Sequence, residues 1–346
     1  MNKVISEDLD FILNSHIDLE KFKNKTVLIT GAAGMLLSYM VYALLRLDEL
    51  DSEFNVTVIA LINDKEKAKK RFGHFIESKH LKLFEHDLAS SIYKISDDID
   101  YIIHGASFAS PHYFRANPVA VLLPNVIGTY HLLELAKSKR VKSFLFISSG
   151  AVYGKSVGKE KVKENDYGYL DPLDVISCYG ESKRMGENMC KCWQEQFGIP
   201  VKIARPAHIY GPTMDIENDS RVFANFVNNA VKGQNIVMKS DGSARRSFCY
   251  IADATTAFFK VLLDGADGEA YNVGNDAAYV SIKELAEIFI SVLPEKKLKV
   301  ILEKREDKNE EEKMLMSSEK IEGLGWQCSF SIPQGIKRTV RSFSYN

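Results

Sequence analysis

The sequence predicts an α/β fold, a doubly wound parallel sheet with a smaller C-terminal α+β lobe. Short apolar runs alternate with helical patterns up to residue 205. This alternation implies parallel strands joined by right-handed crossovers. A glycine turn joins the first run directly to a helical pattern, and after Pro206 helices are separated by shorter strands. We therefore expect 25–205, with parts of 206–275, to form the sheet domain, 206–346 to form most of the second lobe, and 1–24 to be a polar extension.

Composition limits the classes of partner. The 346 residues contain 45 Lys and Arg and 46 Asp and Glu, for a net charge of −1, which gives no electrostatic basis for binding nucleic acid or an anionic membrane. No signal peptide is apparent, and no apolar run approaches a membrane span. The five cysteines lack metal-ligand spacing. We expect no metal site, reduced thiols and a cytoplasmic location.

The first strand and its turn predict a dinucleotide site. Thr26–Thr30 reads as a strand, Gly31-Ala32-Ala33-Gly34 follows, and a helical pattern begins at Met35. Strand, glycine turn and helix are the Rossmann-type arrangement, in which backbone N–H groups at the helix start approach a pyrophosphate. The third glycine of the usual pattern is replaced by Leu37.

The end of the second strand, Val56–Ile62, bears on the choice of cofactor. An acid at this position binds the ribose hydroxyls of NAD. Asp64 is the candidate acid, whereas Lys65 and Lys67 could instead meet the 2′-phosphate of NADP. The sequence favours NAD and leaves NADP open.

The remaining strands of the sheet are predicted at Leu81–Phe84, Asp100–His104, 143–148 and Val201–Ala204. His104 is followed by Gly105-Ala106-Ser107, where small side chains let a cofactor lie against the backbone. A loop containing Ser110 and His112 comes next, and a single helix is predicted from Pro118 to Ser138, with Pro118 in its first turn.

The stretch from Ser148 to Lys183 carries the chemistry. A helix is predicted over 178–197, and on it Tyr179 and Lys183 are four residues apart and share a face. A lysine beside a phenol lowers the phenol's pKa, and a phenolate near neutral pH is a general base. Ser149 can hydrogen-bond the same substrate oxygen. This set is suited to removing a proton from an alcohol while a hydride leaves its carbon.

Arginines in the C-terminal half suggest an anionic substrate. Arg221, Arg245 and Arg246 lie near turns at which a cleft would form. Arginine is suited to bidentate phosphate binding. His208, which follows the last strand of the sheet domain, lies in the same half of the chain.

Seven motifs in order carry a family resemblance: GAAG, HGAS, SSGAVYG, YGESK, RPAHIYGP, GSARRSF and LGW. Over about residues 25–345 the chain resembles an extended short-chain dehydrogenase/reductase of the nucleotide-sugar epimerase/dehydratase family, and within it the UDP-glucuronate decarboxylases. The resemblance implies a nucleoside-diphosphate sugar as substrate and homodimers formed through two helices per subunit, one of them the YxxxK helix. It implies catalytic Ser149, Tyr179 and Lys183. The expected cofactor residues are Gly31, Gly34, Met35, Leu36, Asp64, Asp87, Leu88, Ala106, Ser107, Tyr179, Lys183 and Arg221, and the expected substrate residues are Ser110, His112, His208, Arg221 and Arg246.

Two departures bear on the reaction. The decarboxylases carry Thr-Ser-Glu where this chain has Ser149-Gly150-Ala151, and their substrate-binding lysine is Leu123 here. A 4,6-dehydratase needs an Asp-Glu pair at the same place. The leading hypothesis is therefore C4 epimerisation, which needs no further acid or base. The alternatives are a reductase or dehydrogenase, a dehydratase, decarboxylase or C3/C5-epimerase that uses His112, His208 or Cys178, and a binding protein on this fold.

Overall fold

A seven-stranded parallel sheet forms the centre of the protein. The computed structural model describes residues 1–90, 95–155, 161–303 and 314–344. The sheet strands are β1 (Thr26–Thr30), β2 (Thr57–Ile62), β3 (Leu81–Glu85), β4 (Tyr101–His104), β5 (Ser143–Ile147), β7 (Val201–Pro206) and β11 (Ala270–Val273). Their spatial order is β11-β7-β5-β4-β1-β2-β3. The predicted doubly wound parallel sheet is confirmed.

The strand order places the ligand crevice. Chain order reverses between β1 and β4, which are parallel neighbours. In open α/β sheets, ligands bind outside the carboxyl ends of the strands at such a reversal. Alternate residues of β1 are buried on opposite faces: Val27 and Ile29 belong to one core cluster and Leu28 to another. Burial of both faces explains why these strands are continuously apolar.

Helices cover both faces of the sheet and build the second lobe. The longer ones are α1 (Lys3–Leu13), α2 (Met35–Leu50), α3 (Lys65–Phe72), α6 (Thr129–Lys139), α7 (Cys178–Phe197), α8 (Val222–Val231), α9 (Ile251–Asp264), α10 (Ile282–Val292) and α12 (Ile332–Ser344). The shorter ones are α4 (His112–Ala116), α5 (Pro118–Leu123) and α11 (Glu319–Glu322). The structure confirms the predicted helix over 178–197.

The single helix predicted from Pro118 to Ser138 is wrong in detail. Helix α5 ends at Leu123, a π-helical turn spans Pro124–Gly128, and α6 follows. Proline has no N–H to donate and its ring crowds the preceding turn, so Pro124 interrupts the α-helical hydrogen bonds. Pro118–Lys139 is also long and apolar enough, by length and composition alone, to cross a membrane, although 44% of its most apolar window is buried in the protein.

Short sheets organise the C-terminal half. One contains β12 (Tyr279–Ser281), β10 (Arg245–Tyr250) and β8 (His208–Tyr210), a second pairs β13 (Val300–Leu302) with β9 (Ile236–Met238), and a third pairs β14 (Leu315–Met316) with β6 (Lys161–Val162). In the first sheet β8 and β10 are parallel, with His208 opposite Phe248. This pairing places His208 and Arg246 on adjacent strands.

The segment before β1 packs against α2, β10 and the C-terminal helix α12. Asp8 of α1 is fully buried and accepts hydrogen bonds from Tyr39 (2.8 Å), Tyr250 (2.7 Å) and Arg338 (Nε, 2.9 Å). Burial raises the pKa of Asp8, and the charge of Arg338 opposes the rise. One carboxylate therefore connects α1, the glycine-turn helix α2, strand β10 and the C-terminal helix α12.

Candidate active site

The glycine turn after β1 is shaped by close backbone packing. Gly31 has φ +67°, and a Cβ there would lie 2.7 Å from the Cα of Ala106. A side chain would therefore be both strained and obstructed. Gly34 caps α2, and Gly34, Met35 and Leu36 line a deep cleft along the carboxyl ends of the strands. The first N–H groups of a helix lack intrahelical partners, so this edge can receive a pyrophosphate.

Leu37 replaces the third glycine without closing the turn. Its side chain is 3% exposed, and a Cβ on Gly105 would lie 2.8 Å from the Leu37 Cγ. Gly105 follows β4, the strand beside β1. The Leu37 side chain therefore occupies space that is open because Gly105, the residue after β4, has no side chain.

At the end of the cleft beside β2, one predicted cofactor residue does not line the cleft. Asn63 and Lys67 line it, whereas Asp64 caps α3 by accepting the Lys67 N–H (2.9 Å) and is not among the lining residues. Asp87 and Leu88, which follow β3, line the cleft as expected. Directly after β2, the residue that lines the cleft is thus Asn63, whose side chain is a neutral amide.

Small residues after β4 form the floor of the cleft. Gly105, Ala106 and Ser107 line it, and the Ser107 hydroxyl is buried without a partner among the described atoms. Ser110 also lines the cleft. His112 does not: it is exposed, and its ring lies 4.1 Å from that of Tyr113. The structure therefore brings Ser110, but not His112, to the predicted site.

Ser149, Tyr179 and Lys183 come together at the centre of the cleft. Ser149 hydrogen-bonds the Tyr179 phenol. The Tyr179 ring stacks on Phe114 with centroids 4.9 Å apart. The Lys183 ammonium donates to the Ile147 carbonyl (2.8 Å) and lies 5.9 Å from the Tyr179 ring centroid. The predicted catalytic trio is thus assembled, with Ser149 and Tyr179 in contact.

Burial dominates the protonation of this trio. It raises the pKa of Tyr179, against the lowering effects of the Ser149 hydrogen bond and the Arg221 charge. It lowers the pKa of Lys183 from 10.5 to about 7, against the charge of Glu187. The expected lowering of the Tyr179 pKa is therefore not found in the protein by itself, because desolvation of the buried phenol is the largest effect on that pKa and raises it.

Glu187 and Arg205 support the trio and were not identified from the sequence. Arg205 is 1% exposed and donates to both Glu187 oxygens, Nε to Oε1 (2.9 Å) and an Nη to Oε2 (2.6 Å). The Ser148 hydroxyl also donates to Glu187 (2.5 Å). This network joins α7 to β7 and to the residue preceding Ser149. The available signal was spacing: Glu187 lies four residues beyond Lys183, on the same helix face.

Cationic residues of the second lobe face the same cleft. Arg221, at the N-cap of α8, and Arg246, on β10, both line it. Arg221 donates to Asp219 through Nε (2.8 Å). His208 opens onto the cleft but is otherwise surrounded by protein, and burial, with the charges of Arg246 and Arg221, lowers its pKa to about 3. Arg245, which precedes Arg246 on β10, does not line the cleft and pairs with Glu284 (3.2 Å).

Comparison with known proteins identifies the family. The model of the NAD dependent epimerase/dehydratase family matches residues 27–274. The chain belongs to this family. UDP-glucuronic acid decarboxylase 6 of Arabidopsis thaliana is 30% identical over 92% of this chain and 89% of its own length. UDP-glucuronic acid decarboxylase 1 of Danio rerio is 29% identical over 94% of this chain and 74% of its own.

Solved structures share the fold. UDP-glucose 4-epimerase from Thermotoga maritima has a TM-score of 0.78 at 22% identity and covers 92% of this chain and 99% of its own. UDP-glucuronic acid 4-epimerase from Bacillus cereus, in complex with UDP-glucuronic acid and NAD, has a TM-score of 0.77 with the same identity and coverage. This protein is accordingly an enzyme of the NAD-dependent nucleotide-sugar epimerase/dehydratase type, on an extended short-chain dehydrogenase/reductase scaffold.

Methionines occupy the space beside Gly150, the residue that follows Ser149. A Cβ on Gly150 would lie 2.6 Å from the Met316 sulfur and 3.8 Å from Met314 Cε. Gly150, Ala151 and Met314 line the cleft. The wall next to Ser149 is therefore apolar, and neither residue 150 nor residue 151 can transfer a proton.

The lowered pKa of Lys183 predicts a pH-dependent stability. Between its folded pKa of about 7 and its unfolded value of 10.5, the unfolded state binds more protons, so stability rises with pH. The contribution reaches at most about 1.4 kcal/mol per pH unit. Urea unfolding should show that, from pH 7 to pH 10, the free energy of unfolding of the wild type rises relative to that of Lys183→Met. Below pH 7 the difference between the two proteins should stay constant. Parallel profiles of the two proteins across this range would contradict the assignment.

Proposed function

We propose that this enzyme interconverts C4 epimers of a nucleoside-diphosphate sugar, with NAD in the cleft. The observation that carries the proposal is a complete Ser149, Tyr179 and Lys183 trio beside an apolar wall formed by Gly150, Ala151 and Met314. The trio is sufficient for oxidation and reduction of a hydroxyl. Elimination of water or loss of a carboxylate would require an additional proton-transferring group.

Tyr179 and Ser149 act on the reacting hydroxyl. In its phenolate form, Tyr179 accepts the proton of the reacting hydroxyl and becomes the phenol, and Ser149 hydrogen-bonds the same substrate oxygen and keeps it aligned with Tyr179. NAD supplies the hydride acceptor and later the hydride donor. When the keto sugar turns over in the cleft, Tyr179 returns the proton to the oxygen and the opposite C4 configuration results. The reaction is redox-neutral and needs no other acid or base.

The Lys183 ammonium lies near the Tyr179 phenol. Its pKa of about 7 leaves the ammonium partly protonated at neutral pH, and Glu187 favours the charged form. Once the phenol gives up its proton, an adjacent cation stabilises the phenolate. Gly31, Gly34, Met35 and Leu36 would hold the pyrophosphate of NAD, and Ala106 and Ser107 line the cleft between that turn and Tyr179.

The arginines of the second lobe support an anionic substrate. Arg221 and Arg246 line the cleft. Guanidinium groups bind phosphate oxygens in a bidentate manner. The relatives named above act on UDP-sugars, and we extend that substrate class, a nucleoside-diphosphate sugar, to this chain.

The structure gives little support to an acid–base role for His112, His208 or Cys178. His112 lies outside the cleft lining. The pKa of His208 is lowered to about 3, so its imidazole is neutral at physiological pH and is a weak proton acceptor. Burial raises the pKa of the Cys178 thiol, which donates to the Phe114 carbonyl (3.7 Å). None of the three favours a dehydratase or decarboxylase over an epimerase.

We also propose a cytoplasmic homodimer with no membrane association. Exposed apolar side chains lie on the outer surface of the segment Pro118–Lys139 and of α7: Val119, Ile127, Tyr130, Met185 and Phe197. Two copies burying these side chains against each other would form a four-helix contact. The five cysteines are all unpaired, which supports a reducing compartment.

The function is tested by incubating the protein and NAD with UDP-glucose and with UDP-glucuronic acid and resolving products by NMR and mass spectrometry. An epimerase gives a product of unchanged mass with inverted C4 and no accumulated NADH. Loss of water or of carbon dioxide, or a reduced sugar that appears only with added NADH, would replace the proposal by the corresponding alternative. Tyr169→Phe, at the rim of the cleft, is the matched tyrosine control.

A further inference from the structure

The adenosine end of the cleft determines which dinucleotide the protein accepts. In a doubly wound fold the pyrophosphate lies at the first glycine turn, and the adenosine ribose lies at the end of the second strand. Here those positions are Gly31–Gly34 and the residues after Ile62. An acid that faces the ribose accepts its hydroxyls and repels a 2′-phosphate, whereas a cation accommodates the phosphate.

No carboxylate of the described chain fills the ribose position. Asp64 caps α3 and accepts the Lys67 N–H (2.9 Å), and Glu85, at the end of β3, accepts the Lys65 N–H (3.4 Å). Both acids are engaged with backbone donors, and neither lines the cleft. Asp87 does line it, one strand further along, with its carboxylate on the Ala89 N–H (2.9 Å).

The residues that do face the ribose position are neutral and cationic. Asn63 and Lys67 are exposed and line the cleft. The amide of Asn63 can donate or accept, so it suits either a ribose hydroxyl or a phosphate oxygen. Lys67 has no side-chain partner within the described ranges, in contrast to Lys69, which pairs with Glu66 (2.8 Å).

We infer that the protein binds NADP(H) as well as NAD(H), with Lys67 as the residue that contacts the 2′-phosphate and Asn63 as the residue that tolerates both ribose forms. This inference uses the same cleft as the proposed epimerase chemistry. It concerns the dinucleotide alone, so it is testable without any sugar substrate.

The experiment measures dissociation constants of NADH and NADPH by nicotinamide fluorescence, on protein freed of co-purified dinucleotide. For the wild type we expect the two constants to agree within about tenfold. Lys67→Ala should weaken NADPH by about tenfold or more and leave NADH within about twofold, because a hydrogen bond to a charged group is lost for NADPH only. Asn63→Asp should weaken NADPH and preserve or strengthen NADH.

Lys70→Ala is the control, since Lys70 is an exposed lysine of the same helix that does not line the cleft. Its two constants should match those of the wild type. The inference is overturned if wild-type protein binds NADH more than about 100-fold tighter than NADPH, or if Lys67→Ala weakens both dinucleotides equally. Tight binding of both with no sugar turnover would refute the epimerase proposal and leave this inference standing.

Discussion

Replacing Tyr179 with phenylalanine is expected to lower turnover by about 10²–10⁴-fold, the usual contribution of a positioned general acid–base group. The variant removes only the phenolic oxygen that contacts Ser149. The ring and its stacking on Phe114, at 4.9 Å, are retained. Steady-state rates with UDP-glucose or UDP-glucuronic acid, whichever the wild type converts, measure the loss. NADH binding, followed by fluorescence, should change little.

The control for this variant is a second tyrosine of the same cleft. Tyr169 lines the rim and is exposed, so Tyr169→Phe should retain near-wild-type turnover. If Tyr179→Phe kept the wild-type rate, the proposed proton transfer would be wrong. If it lost dinucleotide binding in parallel with turnover, Tyr179 would have a binding role instead of a role in proton transfer.

Glu187→Ala is expected to destabilise the protein by about 3–5 kcal/mol, because it leaves a buried guanidinium without its counter-charge. Arg205 is 1% exposed and donates to both Glu187 oxygens. Ser148 would lose its acceptor in the same variant. Urea unfolding at pH 7 measures the change in the free energy of unfolding.

The matched control lies on the same helix. Glu195 pairs with Lys191 at 2.7 Å, but both side chains are about half or more exposed, at 66% and 47%. Solvent-exposed pairs contribute about 0–1 kcal/mol, so Glu195→Ala should have little effect. Equal losses of unfolding free energy in Glu187→Ala and Glu195→Ala would show that the buried Glu187 pair stabilises the protein no more than an exposed pair does. Glu187→Ala combined with Arg205→Met should recover part of the loss, since the unpaired charge is then removed.

Hydrophobic periodicity and the order of short motifs were sufficient to predict the strands, the glycine turn and the helices of the sheet domain. The apolar run Thr26–Thr30, the glycines after it and the helical pattern from Met35 are local signals, and the structure places strand, turn and helix there. Tyr179 and Lys183 share a face because their spacing matches the helical repeat. The sequence also contains Pro124 inside the predicted helix. Whether a proline ends a helix or only distorts it depends on the packing of the neighbouring turns, so the π-helical turn was not predicted.

Contacts between residues far apart in the chain could not be predicted from local sequence patterns. Asp64 is an acid near the end of the second strand, and only the start of α3 shows that it caps a helix while Asn63 faces the cleft. Leu37 stands where a glycine is usual, and its side chain fits because Gly105, directly after β4, has no side chain. Protonation also depended on the surroundings, since burial raises the pKa of Tyr179 where the Lys183 charge alone would have lowered it.

The sequence by itself predicted the doubly wound sheet, the glycine turn and the shared helix face of Tyr179 and Lys183, because each follows from short-range spacing that backbone geometry translates directly into position. The order of its motifs carried the family resemblance. Tertiary structure decided which remote residues meet: the Glu187–Arg205 pair, the methionines beside Gly150, the position of His112 outside the cleft lining and that of Asn63 within it. These depend on which remote side chains meet, and on how much water is excluded where they do, and neither quantity is a function of spacing along the chain.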